Sequence, residues 1–217
     1  MKKLIISLAV NGRENYVEKQ KKLIETLPIA KDCDYWILNE YPDYVTPHSV
    51  TPYRFKFDLL KKAQELGYEQ VFWMDSSMRI LKDPFELLNK SDSGIVAFEN
   101  IGHLAHLYCC DKAKENLSYT FKKDDSVFRE VKQTWGGIFG LDLSKPMPQV
   151  VLSDLFDHIK KGTFDEGGSV RPDFKAARHD QTAMSFLFHF YQIPLLPYGV
   201  IAAKPHVTEE TYIQYAD

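Results

Sequence analysis

The strongest chemical feature of this sequence is an apolar segment that ends in a carboxylate. Residues 71–74 are apolar, and Asp75, Ser76 and Ser77 follow them directly. Open α/β sheets bind ligands in the crevice at the carboxyl ends of their strands. There, Asp75 could be a ligand for a hard divalent cation that holds phosphate oxygens. The alternative is a simple turn, because Asp and Ser are favoured turn residues.

Two basic residues lie at the start of a predicted helix over residues 53–66. Arg54 and Lys56 are two positions apart, so they do not share a helix face. One of them could reach an anionic ligand over the crevice, where a helix N-terminus also attracts anions. The alternative is a solvated basic pair, which is the usual environment of these residues.

Two later segments contain further candidates. Gly136 and Gly137 lie at the start of a predicted strand, where glycines indicate either close approach of a ligand or plain helix–sheet packing. Asp180 stands at the predicted N-cap of an apolar helix over residues 181–191. It is either a cap alone or a general base or sugar-hydroxyl acceptor.

Three histidines have spacing or placement that could suit a metal. His206 follows the last predicted strand, in Lys204-Pro205-His206, but an isolated histidine usually serves another role. His103 and His106 have metal-like spacing, yet no nearby Cys or third His supports zinc. We interpret these two as loop residues that could face an acceptor.

The elements that must position these residues alternate along the first hundred residues. We predict strands over 3–10, 34–39, 70–74 and 94–98, with helices over 14–27 and 53–66. This alternation is typical of a parallel α/β sheet with right-handed crossovers. The second half is less regular, and we predict a tail over 204–217. Because the sequence contains no recognisable repeat or linker, we expect residues 1–217 to form a single domain.

Composition excludes several classes of protein. The chain has 217 residues, and 27 Lys and Arg against 30 Asp and Glu give a net charge of −3. With a pI near 6.2 and no basic run, it lacks the electrostatic footprint of a nucleic-acid-binding protein.

The apolar run over 4–10 is too short for a signal peptide and predicts a buried strand instead. No run reaches the roughly 18 apolar residues of a membrane span. Three cysteines, an odd number, favour a reducing compartment and a cytoplasmic location.

Taken in order, these pieces resemble glycosyltransferases of the GT-A fold. The sequence is similar to the superfamily that includes glycogenin and the bacterial lipooligosaccharide galactosyltransferases, and to small glycosyltransferase domains of large algal DNA viruses. The resemblance runs from Lys3 to about His206, and its most specific parts are 53–56, 71–77 and 80–84. It implies a Rossmann-like, mostly parallel central sheet flanked by helices.

The resemblance also implies roles for individual residues. Val10 and Asn11 would meet the nucleotide base and ribose, and Arg54 or Lys56 the donor phosphate or sugar. The implied donor site as a whole consists of Val10, Asn11, Arg54, Lys56, Asp75, Ser76, Ser77, Gly136 and Gly137. Asp180 and Gln181 match a catalytic Asp-Gln pair. Asp75, Ser77 and His206 would hold Mn²⁺ or Mg²⁺.

One position departs from the family pattern. Ser77 stands where the second carboxylate of the Asp-x-Asp motif is expected. That carboxylate usually binds the metal in the family. Metal affinity would then rest on Asp75, His206 and the donor diphosphate, and metal-independent transfer stays open.

The implied function is transfer of a sugar from a nucleotide-diphosphate sugar, with UDP the expected nucleotide, to a glycan or other hydroxyl acceptor. Inversion and retention of the anomeric configuration both remain open. One rival is a nucleotidyltransferase, although residues 8–13 contain only one Gly and one Arg where such enzymes carry a Gly-rich basic loop. The other rival is a catalytically silent protein that binds nucleotide sugars or carbohydrates, and Ser77 is its best support.

Overall fold

The computed structural model describes residues 1–10, 15–121 and 125–215, without the side chains of 119–121 and 125–127. The elements in chain order are β1 (Lys3–Leu8), α1 (Tyr16–Thr26), a 3₁₀ turn (Leu27–Ile29), β2 (Asp34–Leu38), α2 (Arg54–Glu65), β3 (Gln70–Met74), β4 (Met78–Ile80), α3 (Phe85–Asn89), β5 (Ile95–Leu104), a second 3₁₀ turn (Ala105–Tyr108), α4 (Asp111–Phe121), α5 (Asp125–Glu130), β6 (Lys132–Asp142), α6 (Pro146–Lys160), α7 (His179–Phe190), β7 (Ile201–Ala202) and β8 (Ile213–Tyr215).

The central sheet has five strands in the order β2-β1-β3-β6-β5. β1 pairs in parallel with β2 and β3, whereas β6 is antiparallel to both β3 and β5. Four strands therefore run in one direction, which confirms an α/β fold with a mostly parallel sheet flanked by helices. β6 runs against its neighbours because α4 and α5 return the chain to the end of the sheet where β5 finishes, so that Lys132 pairs with Leu104.

Alternation along the strands produces two cores, one on each face of this sheet. Leu4 and Ile6 of β1 point to one face, where α2, α4, α5, α6 and α7 pack. Ile5 points to the other face, which is covered by α1, α3 and a small second sheet. Since successive side chains of a strand face opposite sides, one apolar run supplies both cores. In the part of the chain described, no helix has the length and apolar character needed to cross a bilayer.

The small second sheet was not expected from the sequence. It has the order β4-β8-β7, with β4 antiparallel to β8 and β7 parallel to β8. Ile80 and Ile213 are paired and both are fully buried. The prediction of a tail over 204–217 is therefore wrong for residues 213–215, which complete the core beneath the main sheet.

Candidate active site

The candidate site lies where the carboxyl end of β3 meets the middle of β6. Asp75 follows the last residue of β3, and its backbone N–H donates to the Gly137 carbonyl at 2.7 Å. The first turn of α2 and the first turn of α7 approach the same point, because Lys56 of α2 bonds both Gly136 and Asp180. Elements from both halves of the chain thus contribute to one site, at the sheet edge where α/β proteins bind ligands.

A buried lysine holds the site together. The side chain of Lys56 is only 2% exposed. Its Nζ donates at 2.8 Å to Asp180 Oδ2 and at 2.8 Å to the carbonyl of Gly136, and lies 3.8 Å from Asp75 Oδ1. A buried ammonium needs such partners, since an unpaired charge in the interior is very costly. The alternative of a solvated basic pair is thus ruled out for Lys56.

Burial and charge oppose each other in the Lys56–Asp180 pair. Burial lowers the pKa of Lys56, but the carboxylates of Asp180 and Asp75 outweigh it and raise this pKa above its ordinary value. Burial also raises the pKa of Asp180, and the nearby ammonium only partly offsets that increase. Lys56 therefore stays protonated at neutral pH, while Asp180 binds a proton more readily than an exposed aspartate does.

Asp75 is the exposed carboxylate of the site. Its side chain is 42% exposed. The indole Nε1–H of Trp73, two residues earlier on the same face of β3, donates to Asp75 Oδ1 at 2.8 Å. No hydrogen bond from the described residues reaches Oδ2. The tryptophan thus fixes the carboxylate while one of its oxygens remains available to a ligand.

Gly136 and Gly137 leave room for the carboxylates on either side of β6. A Cβ atom at residue 136 would lie 2.5 Å from Cγ of Gln181 and 3.0 Å from Oδ2 of Asp180. A Cβ at residue 137 would lie 3.0 Å from Asp75 Oδ2 and 2.9 Å from Cε of Met78. Both glycines are required by close approach, the first to α7 and the second to the end of β3.

Two aromatic rings also lie close to the ammonium group of Lys56. The Nζ atom lies 4.9 Å from the ring centroid of Tyr53 and 5.4 Å from that of Trp73, within cation–π range. Tyr53 precedes α2 with φ of +59°, a left-handed conformation that is uncommon outside glycine. Its ring lies 4.6 Å from that of His48 and 5.7 Å from that of His179. Strained backbone of this kind clusters at functional sites.

The other residues predicted to bind the nucleotide-sugar donor have different environments. Arg54 pairs with Asp58, one turn further along α2, at 3.3 Å. Val10 is partly buried against the core beyond the end of β1. Ser76 is buried and Ser77 is partly exposed, both in the turn after Asp75. Asn11 lies outside the described residues.

The start of α7 differs from the prediction. The helix begins at His179, with Arg178 at the N-cap, so Asp180 is already in the first turn. Placing Asp180 at the N-cap is therefore wrong, and its carboxylate accepts a hydrogen bond from the lysine on α2. Gln181 accepts a hydrogen bond from Arg178 Nη1 at 3.2 Å.

The histidines considered as metal ligands lie in different surroundings. His206 is exposed, and its ring lies 6.1 Å from that of Tyr198. His103 contacts the Tyr108 hydroxyl, whereas His106 lies 3.6 Å from Asp173. Within the described ranges, no three His, Cys, Asp or Glu side chains form a metal-binding group. Asp75 still offers a hard oxygen ligand, the type that Mg²⁺ and Mn²⁺ prefer.

Trp73 and Tyr53 are functional candidates that sequence reasoning missed. The signal for Trp73 was its period-two spacing from Asp75, which places both side chains on one face of the strand. Tyr53 carried no such signal, since its left-handed backbone depends on the loop before α2.

Comparison with known proteins tests the expected fold. No protein-family model matches the sequence, and no curated protein matches it. Among solved structures, the chain is similar to the apo structure of the bifunctional glycosyltransferase WbbM, with a TM-score of 0.53. This chain therefore has a fold that is also found in a glycosyltransferase. The sequences are 17% identical, and the match covers 90% of this chain but only 40% of the WbbM chain. At that identity the match supports the fold alone.

Loss of Lys56 should destabilise the protein strongly. In Lys56→Met, Asp180 stays buried without its cation, and breaking one side of a buried ion pair costs about 3–5 kcal/mol. Urea unfolding followed by circular dichroism measures this cost. The double variant Lys56→Met/Asp180→Leu should be more stable than Lys56→Met, because no buried charge is left unpaired. A loss below about 1 kcal/mol in Lys56→Met would show that the pair is not a structural determinant.

Proposed function

We propose that this protein is a glycosyltransferase that moves a sugar from a nucleotide-diphosphate sugar to a hydroxyl group. The observation that carries the proposal is the Lys56 cluster, which joins Asp75, Gly136 and Asp180 at the carboxyl edge of the sheet. Two carboxylates, one exposed and one buried, lie on either side of a single ammonium. This arrangement, within a glycosyltransferase fold, suits a donor held at one carboxylate and chemistry at the other.

In this proposal the donor nucleotide binds beside Asp75. The free Oδ2 of this carboxylate and the partly exposed hydroxyl of Ser77 would face the ribose and diphosphate. Gly137 allows Oδ2 to lie close to the backbone of β6, since a Cβ there would come within 3.0 Å of it. Val10, at the end of β1, would contact the base. UDP is the expected nucleotide from the sequence resemblance.

A divalent cation fits the chemistry of the exposed donor groups. Asp75, Ser77 and His206 would hold Mn²⁺ or Mg²⁺, which would stabilise the negative charge on the departing diphosphate. Because these side chains alone make an incomplete set, the oxygens of the diphosphate would supply further ligands. The positive charge of Lys56, 3.8 Å from Asp75, adds to the electrostatic stabilisation of that end of the site.

Transfer itself requires a proton to leave the acceptor. The acceptor oxygen forms a bond to the anomeric carbon, the bond from that carbon to the diphosphate oxygen breaks, and the nucleoside diphosphate leaves with the electron pair. Asp180 is the proposed base that takes the hydroxyl proton in an inverting reaction. Its raised pKa favours this role, since it binds the proton more readily. In a retaining reaction, Gln181 or Asp180 would instead flank the anomeric centre.

A catalytically silent sugar- or nucleotide-binding protein is the second candidate. It is favoured by Ser77 in place of a carboxylate and by the burial of Asp180, which is 1% exposed. A buried carboxylate held by a lysine could serve stability alone. Turnover distinguishes the two candidates, since fold does not determine activity.

Thermal unfolding with nucleotide sugars tests the donor site. We expect one of UDP-, GDP-, TDP- and CMP-sugars to stabilise the protein, and more strongly with Mn²⁺, because a ligand at about 100 times its Kd adds about 2.7 kcal/mol. Asp75→Ala should remove this shift while the protein stays folded, and Asp157→Ala, at an exposed position on α6, should retain it. No shift with any nucleotide sugar would contradict the proposal, as would an unchanged shift in Asp75→Ala.

Removing the charge of Asp180 tests the proposed base. Asp180→Asn keeps an oxygen for Lys56 but cannot accept the acceptor proton, so turnover should fall about 100-fold or more while the donor still binds. In the wild type, turnover should decline as the pH falls through the pKa of Asp180, which lies above the ordinary value, because the base becomes protonated. Asp157→Asn, on the surface of α6, is the control. Full turnover in Asp180→Asn would mean that the carboxylate is structural.

A further inference from the structure

Three basic side chains converge on the ring of Tyr108, beside the proposed reaction centre. Arg178 Cζ lies 4.8 Å from the ring centroid and Lys175 Nζ lies 5.8 Å from it. The ring of His103 is 5.3 Å away, and its Nδ1 is within hydrogen-bond distance of the Tyr108 hydroxyl. His103 of β5 and Lys175 and Arg178 of the segment before α7 thus form one basic cluster around this ring of the second 3₁₀ turn.

The positive charge of this basic cluster is not compensated by acids. Among the described residues, neither Lys175 nor Arg178 forms an ion pair. Two acids of the same segment lie against histidines instead, Asp173 at 3.6 Å from His106 and Glu166 at 3.6 Å from His179. The two cations are close enough to His103 to lower its pKa, in addition to the larger effect of burial. Excess charge of one sign beside a catalytic residue attracts ligands of the opposite sign.

The basic cluster is joined to the site through Gln181. Arg178 Nη1 donates to Gln181 Oε1 at 3.2 Å, and Gln181 packs against Gly136. Asp75, which is proposed to bind the nucleotide sugar, contacts Lys56, Trp73 and Gly137 instead. An anion at the cluster would therefore meet the site from the side of α7, next to the proposed base.

We propose that the basic cluster binds an anionic group, a phosphate or a carboxylate, carried by the acceptor. The guanidinium of Arg178 retains further N–H donors beyond its one bond to Gln181, and such donors match carboxylate and phosphate oxygens in pairs. Lys175 is exposed and adds a second positive charge. Because Arg178 covers the Tyr108 ring, this ring is not open for stacking on a sugar. The identification of the ligand as acceptor rests on the proposed function.

Matched sugars test this proposal by isothermal titration. Glucose 6-phosphate and glucuronate carry the two candidate anions, and glucose carries neither. We expect at least one anionic sugar to bind about tenfold or more tightly than glucose, the strength of a charge-assisted contact. Lys175→Glu should abolish this preference and Lys175→Arg should restore it. The control is Lys90→Glu, an exposed lysine next to Asn89, which bonds the start of β3 at the opposite end of the sheet.

Three results would overturn the proposal. One is equal binding of glucose and both anionic sugars. Another is an equal loss of binding in Lys175→Glu and Lys90→Glu, which would indicate only general charge attraction. The third is loss of nucleotide-sugar stabilisation in Lys175→Glu, which would assign the cluster to the donor diphosphate. If nucleotide sugars fail to bind but the preference for anionic sugars depends on Lys175, the result supports the anion site and contradicts the proposed function.

Discussion

The burial of one ammonium group constrains much of this structure. Lys56 has almost no contact with water, so its charge must be balanced within the protein. The balance comes from Asp180 on α7, from the Gly136 carbonyl on β6 and from Asp75 at the end of β3. Each partner belongs to a different element, so α2, β3, β6 and α7 must all be placed correctly before the charge is satisfied.

This constraint links stability to the geometry of the site. The carboxylates can approach β6 only because Gly136 and Gly137 have no side chains. Trp73 fixes the exposed carboxylate from the same strand face that packs against α2. The interactions that hold the fold together thus also set the spacing between the proposed donor residue and the proposed base. Because the same interactions stabilise the fold and position the site residues, the site is held rigid without further supporting helices or strands.

The sequence predicted the parts of the site that local patterns encode. Asp75 after an apolar strand and the glycines of β6 were both recognised from spacing and residue type. The choice between Arg54 and Lys56 could not be made, because it depends on Asp180, which lies 124 positions away. For the same reason Asp180 was expected to cap α7, whereas a long-range ion pair determines its orientation. β8 escaped prediction because three residues contain too little pattern to indicate a strand.

The central claim is that a nucleoside diphosphate binds at Asp75, and the indole of Trp73 is a direct reporter of that carboxylate. The three tryptophans, Trp36, Trp73 and Trp135, give three indole N–H signals in a ¹H–¹⁵N spectrum. On titration with UDP and Mg²⁺ we expect the Trp73 signal to move, because its partner Asp75 Oδ1 gains a charged neighbour. The signal of Trp36, a residue of β2 whose ring packs on Tyr68, should not move. A Trp73 signal that does not move at saturating UDP and Mg²⁺ would contradict a donor site at Asp75.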